Sequence, residues 1–309
     1  MREINCSVVI PVYKGVATLP ELMKRLDAVL NTFASHYEAI LVNDGSPDAS
    51  WQTIQELAAR YPWVIGINLM RNYGQHNATL CGVRNASYEI IVTMDDDLQH
   101  RPEDLPVLFE KLETGFDVVY GVPIKLPKGV FRNWVTKTTK IFLAQVMGLK
   151  SVRNISAFRV FRTNLRDAFS DCRNPSSILD VLLSWGTSRF ASVSVNIEPA
   201  VERSNYGFLK LVRAAILILT GFSTAPLRIA SWIGFLMTIF GIGVFIHVVI
   251  LYYSVGSLPG FPFLAAIISI FGGAQLFALG IFGEYLAHIF NRVMDRPPYS
   301  VAEKVGKKS

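Results

Sequence analysis

Apolar and polar positions divide the chain into two regimes. Over residues 6–122, short apolar runs rich in β-branched residues alternate with stretches of helical period. The runs fall at 6–12, 39–42, 64–69, 90–94 and 118–122, with amphipathic segments near 18–33, 50–60, 75–86 and 102–113. The last segment opens on Pro102, whose fixed φ suits a first helical turn. Regular alternation of strand and helix predicts an α/β domain with a mostly parallel sheet covered on both faces. Ligands of such sheets bind at the carboxyl ends of the strands.

The second regime has no such alternation. No Asp, Glu, Lys or Arg occurs from 229 to 255, or again from 258 to 283. A bilayer core needs about 20 apolar helical residues, so each stretch is long enough to cross once, and the short connector at 254–260 makes the pair a transmembrane hairpin. Before it, Phe208, Leu209, Leu211, Val212, Ala215, Ile216 and Leu219 recur at helical spacing, with Lys210 and Arg213 between them. That pattern predicts an amphipathic helix lying in the membrane interface. The expected organisation is an α/β domain over 1–203, an interfacial helix over 204–227, the hairpin over 228–290 and a basic tail over 291–309.

Composition agrees with a membrane-bound chain. Of 309 residues, 51% are hydrophobic and 17% charged, against about 25% charged in a typical soluble domain, which excludes a wholly soluble or wholly disordered protein. Net charge is +6, unevenly spread: residues 1–124 hold 9 basic against 16 acidic side chains, and 125–173 hold 11 against 2. Arg213 and Arg228 precede the hairpin and Arg292, Arg296, Lys304, Lys307 and Lys308 follow it, while its connector has no basic residue. The positive-inside bias then predicts both termini and the α/β domain on the cytoplasmic side of the inner membrane. Met1–Asn5 leads straight into the first strand, with no apolar core of a cleavable signal. Cys6, Cys81 and Cys172 lie too far apart for a zinc spacing or a disulfide framework.

Candidate chemistry gathers at the predicted strand ends. Strand one runs into Pro11-Val12-Tyr13, strand two into Asn43-Asp44-Gly45-Ser46, and strand four into Asp95-Asp96-Asp97-Leu98-Gln99. Neither a G-x-G-x-x-G fingerprint nor a P-loop is present, so phosphates are handled by other means. Like charges brought close raise one another's pKa, and a divalent cation removes that cost. Mg²⁺ or Mn²⁺ takes carboxylate oxygens and completes its shell with water and substrate phosphates. In an extended segment alternate side chains share a face, which puts Asp95 and Asp97 together, with Gln99 as a third oxygen ligand. A solvated acidic turn gives the same local pattern. Asp44 suits either a ligand contact or an Asx turn, and Tyr13 either base stacking or an edge aromatic.

Together Val9-Ile10-Pro11-Val12-Tyr13, Asn43-Asp44-Gly45-Ser46, Met94-Asp95-Asp96-Asp97-Leu98-Gln99 and Ser156-Ala157-Phe158-Arg159 resemble the inverting family 2 glycosyltransferases with a GT-A fold. The order of domain, interfacial helix and two spans is similar to the polyprenyl-phosphate glycosyltransferases among them. Arg71-Asn72-Tyr73-Gly74-Gln75-His76 and Gly283-Glu284-Tyr285 are familiar from bacterial members. The resemblance implies that Pro11, Tyr13 and Asp44 hold base and ribose, with Asp96 nearby. Asp95, Asp97 and Gln99 would hold the metal and the donor diphosphate, Asp95 and Asp97 thereby serving catalysis. Arg132 with Thr136 matches an element that binds the acceptor phosphate, and Arg159 and Arg203 fall near the phosphates. Family members usually carry Asn-Glu after Tyr13, where this chain has Lys14-Gly15.

The implied reaction is inverting transfer of one sugar from a nucleotide sugar, a UDP-linked hexose by analogy with bacterial members, to undecaprenyl or another polyprenyl phosphate. A processive polysaccharide synthase would carry Q-x-x-R-W and more spans, which this sequence lacks. A non-catalytic membrane scaffold keeping a nucleotide-sugar fold is the rival of another class. Gly241, Gly243, Gly272, Gly273 and Gly280 would let spans of a homo-oligomer approach closely. Nucleic acid is not an expected partner, because the basic segment 125–173 contains no recognisable module.

Overall fold

The structure, a computed structural model, describes residues 4–124, 155–170, 178–196, 225–255, 260–294 and 297–306. It divides into two compact units, residues 1–205 with 296–309, and residues 206–295.

The first unit is built on strands β1 (Asn5–Val12), β2 (His36–Asn43), β3 (Val64–Leu69), β4 (Ile90–Thr93), β5 (Val118–Pro123), β6 (Arg159–Arg162), β7 (Phe190–Val195) and β8 (Val301–Val305). Among the described residues they form one sheet in the order β7-β5-β6-β4-β1-β2-β3-β8. Its centre is parallel, β4-β1-β2-β3, and so is the β5/β7 pair. Strand β6 runs antiparallel between β4 and β5, and β8 runs antiparallel along β3. Helices α1 (Leu19–Phe33), α2 (Ser50–Arg60), α3 (Gln75–Asn85), α4 (Leu105–Glu113) and α5 (Leu179–Gly186) complete the unit.

The apolar runs read from sequence become central strands because they are buried on both faces. Val8, Ile10 and Val12 of β1 join one core cluster with Leu22, Met23 and Leu26 of α1, whereas Val9 joins a second cluster with Ala78 and Cys81 of α3. Helix α3 lies tight on the sheet at Gly82, where a Cβ would collide with the Val9 side chain. The strands not expected from sequence are β6, β7 and β8. The last converts part of the expected basic tail into a sheet edge.

A buried polar knot fastens the amino end of the central sheet. The carboxylate of Glu38, 7% exposed, accepts hydrogen bonds from Ser7 Oγ (2.7 Å), Ser87 N (2.7 Å) and Ser87 Oγ (3.3 Å). Ser7 Oγ accepts in turn from Tyr88 N at 3.1 Å. One carboxylate thus joins β1, β2 and the turn before β4.

In the second unit, α6 (Ala225–Val255) and α7 (Phe261–Val293) each contain a stretch long and apolar enough to cross a membrane. Most of their described large apolar side chains, among them Trp232, Phe235, Phe245, Leu276 and Phe282, are exposed, and others such as Phe271 are half-buried, as expected of helices solvated by lipid. The expected interfacial helix lies outside the described residues over 204–224, and α6 already begins at Ala225.

Glu38→Ala should leave the Ser7 and Ser87 donors buried without an acceptor, lowering unfolding stability by about 2–4 kcal/mol. Denaturant unfolding followed by tryptophan fluorescence tests this; a loss under about 0.5 kcal/mol, the size of an ordinary surface change, would contradict the role assigned to the knot.

Candidate active site

The carboxyl ends of β1, β2 and β4 open onto a cavity of about 300 Å³. It is lined by Pro11, Val12 and Tyr13 from β1 and its following turn, Asp44 after β2, Asn72, Gly74 and Gln75 after β3, and Asp95, Asp96 and Asp97 after β4. Residues far apart in sequence meet here because four parallel strands, β4, β1, β2 and β3, end side by side.

All three aspartates reach the cavity, which extends the expectation drawn from strict alternation. Strand β4 stops at Thr93 and the chain curls beyond it, with Leu98 in the left-handed region at φ 60°. Such a conformation in a non-glycine residue costs energy and is held by its surroundings. Asp95 Oδ1 accepts from Gln75 Nε2 at 2.6 Å, and Asp96 Oδ2 from the Tyr13 amide at 3.2 Å. Asp97 accepts from the Gln99 amide at 3.0 Å and also from its side-chain nitrogen. Gln99 turns an N–H donor toward Asp97 and is not among the residues lining this cavity.

Burial is the main force on these acids. It raises the Asp95 carboxyl above the usual carboxylate range, and neighbouring Asp97 adds to the rise. It pushes Asp96 up to about 7, against the pull of the Tyr13 N–H and with further help from Asp95 and Asp97. Uncompensated anionic crowding of this kind suits a hard divalent cation. Among the described residues no three His, Cys, Asp or Glu side chains converge as a cage. The cluster fits an ion held by one or two carboxylates with substrate phosphates completing its shell.

Asp44 is buried and acts on backbone. Its Oδ1 accepts from Tyr73 N at 2.7 Å and its Oδ2 from Gly74 N at 2.9 Å. Burial raises its pKa and the two amides draw it back. The loop after β3 also rests on Gly45, at φ +61°, where a Cβ would stand 2.5 Å from the Arg71 and Asn72 backbone. Asp44 and Gly45 together thus set one wall of the cavity. The Lys14-Gly15 pair has a steric reason too: a Cβ at Gly15 would lie 2.7 Å from Asp96 Oδ2, while Lys14 takes φ 62° and its N–H donates to Ser46 Oγ at 3.2 Å.

A second cavity of about 280 Å³ adjoins the first, sharing Pro11, Gln75 and Asp95. Its lining includes His76, Thr79, Thr93, Ser156, Arg159 and Asp180. Arg159, 4% exposed, forms an ion pair with Asp180 and donates from Nε to Thr93 Oγ1 at 2.9 Å. Tyr120 Oη donates to Asp180 Oδ1 at 2.8 Å. The guanidinium expected to meet an acceptor phosphate is thus already matched by a carboxylate. Asp180, Gln75, His76 and Asn72 were not singled out from sequence. Of these, Asn72, Gln75 and His76 lay in a segment noted there, and Asp180 did not. His100, also missed, is buried and stacked on Phe158 with ring centroids 5.3 Å apart, and its Nδ1 has no hydrogen-bond partner. Arg132, Thr136 and Arg203 lie outside the described residues.

Residues 7–172 match the profile of glycosyl transferase family 2. The chain belongs to that family. Over 303 residues this glycosyltransferase is 36% identical to an undecaprenyl-phosphate 4-deoxy-4-formamido-L-arabinose transferase of Shewanella sediminis, covering 96% of this chain and 91% of the relative. A transferase of the same name from Proteus mirabilis is 35% identical, with 99% and 96% covered. Among solved structures, the glucosyl-3-phosphoglycerate synthase of Mycobacterium tuberculosis, in complex with Mn²⁺, UDP and phosphoglyceric acid, is similar. It superposes with a TM-score of 0.52 at 18% identity over 70% of this chain and 76% of that one. The glycosyltransferase thus has the GT-A-like mixed, mostly parallel sheet expected from its motifs, followed by two apolar helices of spanning length.

Gly45→Ala forces a Cβ against the loop backbone, and Asp44→Ala removes the acceptor for two loop amides. Each should quicken amide hydrogen exchange at Tyr73 and Gly74 about tenfold or more, measured by mass spectrometry. Wild-type protection in both would refute the role given to this wall.

Proposed function

We propose that this glycosyltransferase transfers one sugar from a nucleotide sugar to a polyprenyl phosphate at the membrane, with inversion at the anomeric carbon. The observation that carries this reading is the pair of adjoining cavities sharing Asp95, one walled by three aspartates and the other by Arg159 and Asp180. The first cavity takes the nucleotide and its diphosphate, with Pro11 and Tyr13 beside the base and ribose and Asp44 holding the loop that faces them. Asp95 and Asp97 would hold Mg²⁺ or Mn²⁺, each carboxylate oriented by a glutamine amide. When bound, such an ion acts as a Lewis acid that neutralises charge on the departing diphosphate.

A lipid monophosphate has its second pKa near 6, so at neutral pH its oxygen is already nucleophilic and no general base is required. That oxygen forms a bond to the anomeric carbon as the bond to the donor diphosphate breaks, the electron pair leaving with the nucleoside diphosphate. Asp180, ion-paired with Arg159 and hydrogen-bonded by Tyr120, keeps Arg159 in place. Arg132, Thr136 and Arg203 are proposed to bind the acceptor phosphate, through the bidentate geometry that guanidinium groups offer phosphates. Anchoring by the hairpin keeps that headgroup near the site and raises its effective concentration.

The relatives' names favour 4-deoxy-4-formamido-L-arabinose over a hexose as the transferred sugar, and undecaprenyl phosphate as the acceptor. A cytoplasmic orientation is supported by the basic flanks; the return of the chain to the sheet at β8 after α7 suits an even number of crossings on whichever side the sheet lies.

Asp97→Asn and Arg132→Ala should each reduce transfer of radiolabelled sugar from nucleotide sugar to undecaprenyl phosphate by about 100-fold. Undiminished turnover in either variant, or no lipid-linked sugar from the wild type with formamido-arabinose or hexose donors, would count against the proposal.

A further inference from the structure

We infer that strand β8, the segment that follows the second apolar helix in sequence, is a positioning element of the nucleotide cavity. Its effect on donor binding rests on the function proposed above; its effect on the loop after β3 does not.

Strand β8 pairs antiparallel with β3, Val305 opposite Gly66 and Glu303 opposite Asn68, with an irregularity before Val301 meets Leu69. One residue beyond β3, the Met70 amide donates to the Ser300 carbonyl at 2.9 Å. The clamp therefore closes where the site loop departs from the sheet. Side chains tie the strand down as well: Trp51 Nε1 donates to Glu303 Oε2 at 3.1 Å, and Lys304 Nζ to Asn85 Oδ1 at 2.8 Å.

The loop at 70–74 is thus held at both ends. Ser300 fixes Met70 at one end, and the Asp44 carboxylate fixes Tyr73 and Gly74 at the other. Asn72 and Gly74, near the second anchor, line the nucleotide cavity. On the side of β3 away from β2, β8 is the sheet neighbour among the described residues. Ala302, Glu303 and Lys304 are exposed, while Val301 and Val305 are half-buried and pack against the two core clusters. The strand also supplies a partner for the edge hydrogen bonds of β3 and a fixed start for the loop. A segment delivered by the membrane hairpin thereby helps to shape the donor site.

The test compares the intact chain with one ended after residue 297, which retains both apolar helices, and with full-length Glu303→Pro. Proline opposite Asn68 removes a backbone donor from the strand that pairs with β3, and the substitution also removes the acceptor of Trp51. Amide hydrogen exchange at 70–74 should quicken about tenfold or more in both variants while β1 and β2 stay protected. Affinity for UDP with Mn²⁺ should fall about tenfold, with saturation by undecaprenyl phosphate unchanged. If the shortened chain also loses protection in β1 and β2, Glu303→Pro decides. Unchanged protection at 70–74 in a variant whose β1 and β2 remain protected overturns the inference. An intact chain that fails to bind UDP with Mn²⁺, yet whose loop loosens in the variants, contradicts the proposed function and upholds the positioning role.

Discussion

Asp95 and Asp96, crowded beside Asp97 at the end of β4 and largely removed from water, resist ionisation. The fold forces that crowding. Strand β4 lies beside β1, so the turn after it faces the turn after β1, and Asp96 meets the Tyr13 amide while Asp95 meets Gln75. The anionic triplet can be relieved by protonation, as Asp96 shows by its rise to about 7, or by a cation carrying a substrate phosphate. The neighbouring features follow from that choice. Gly15 makes room for Asp96, Gln99 orients Asp97, and Asp44 spends both oxygens on holding the facing loop.

Charge is arranged in sequence across the site. The first cavity is acidic and suits a metal-bound diphosphate; the second contains a guanidinium already balanced by Asp180. Replacing one member of that buried pair would strand the other, a costlier change than losing an exposed salt bridge. Arg159 is held in the lining of the second cavity by Asp180 and Thr93, with Tyr120 donating to Asp180.

Much of the sheet was readable from local pattern because central parallel strands are buried on both faces and appear as continuous apolar runs. Strands β1 to β5, the acidic triplet and the apolar hairpin carry that kind of signal. Strand β8 does not: with Ala302, Glu303 and Lys304 exposed, it lacks the alternation that marks a half-buried strand. Short β6 is defined by its antiparallel partners β4 and β5 rather than by its own composition. Within the site, the aspartates stood out by type and position. Asp180 did not, since its meaning depends on Arg159 and Tyr120, 21 and 60 residues away in sequence. Gln99 was recognised as a site residue, yet which atom of its amide faces Asp97 is decided only by the folded turn.

The central claim is that the triplet engages a nucleotide diphosphate through a divalent cation. Calorimetric titration of the intact protein with UDP, in the presence of Mn²⁺ and again with the metal chelated, tests it most directly. Binding that needs the cation and is lost in Asp95→Asn and Asp97→Asn is the predicted result. Equal affinity with and without Mn²⁺, or unchanged binding in both variants, would contradict the account.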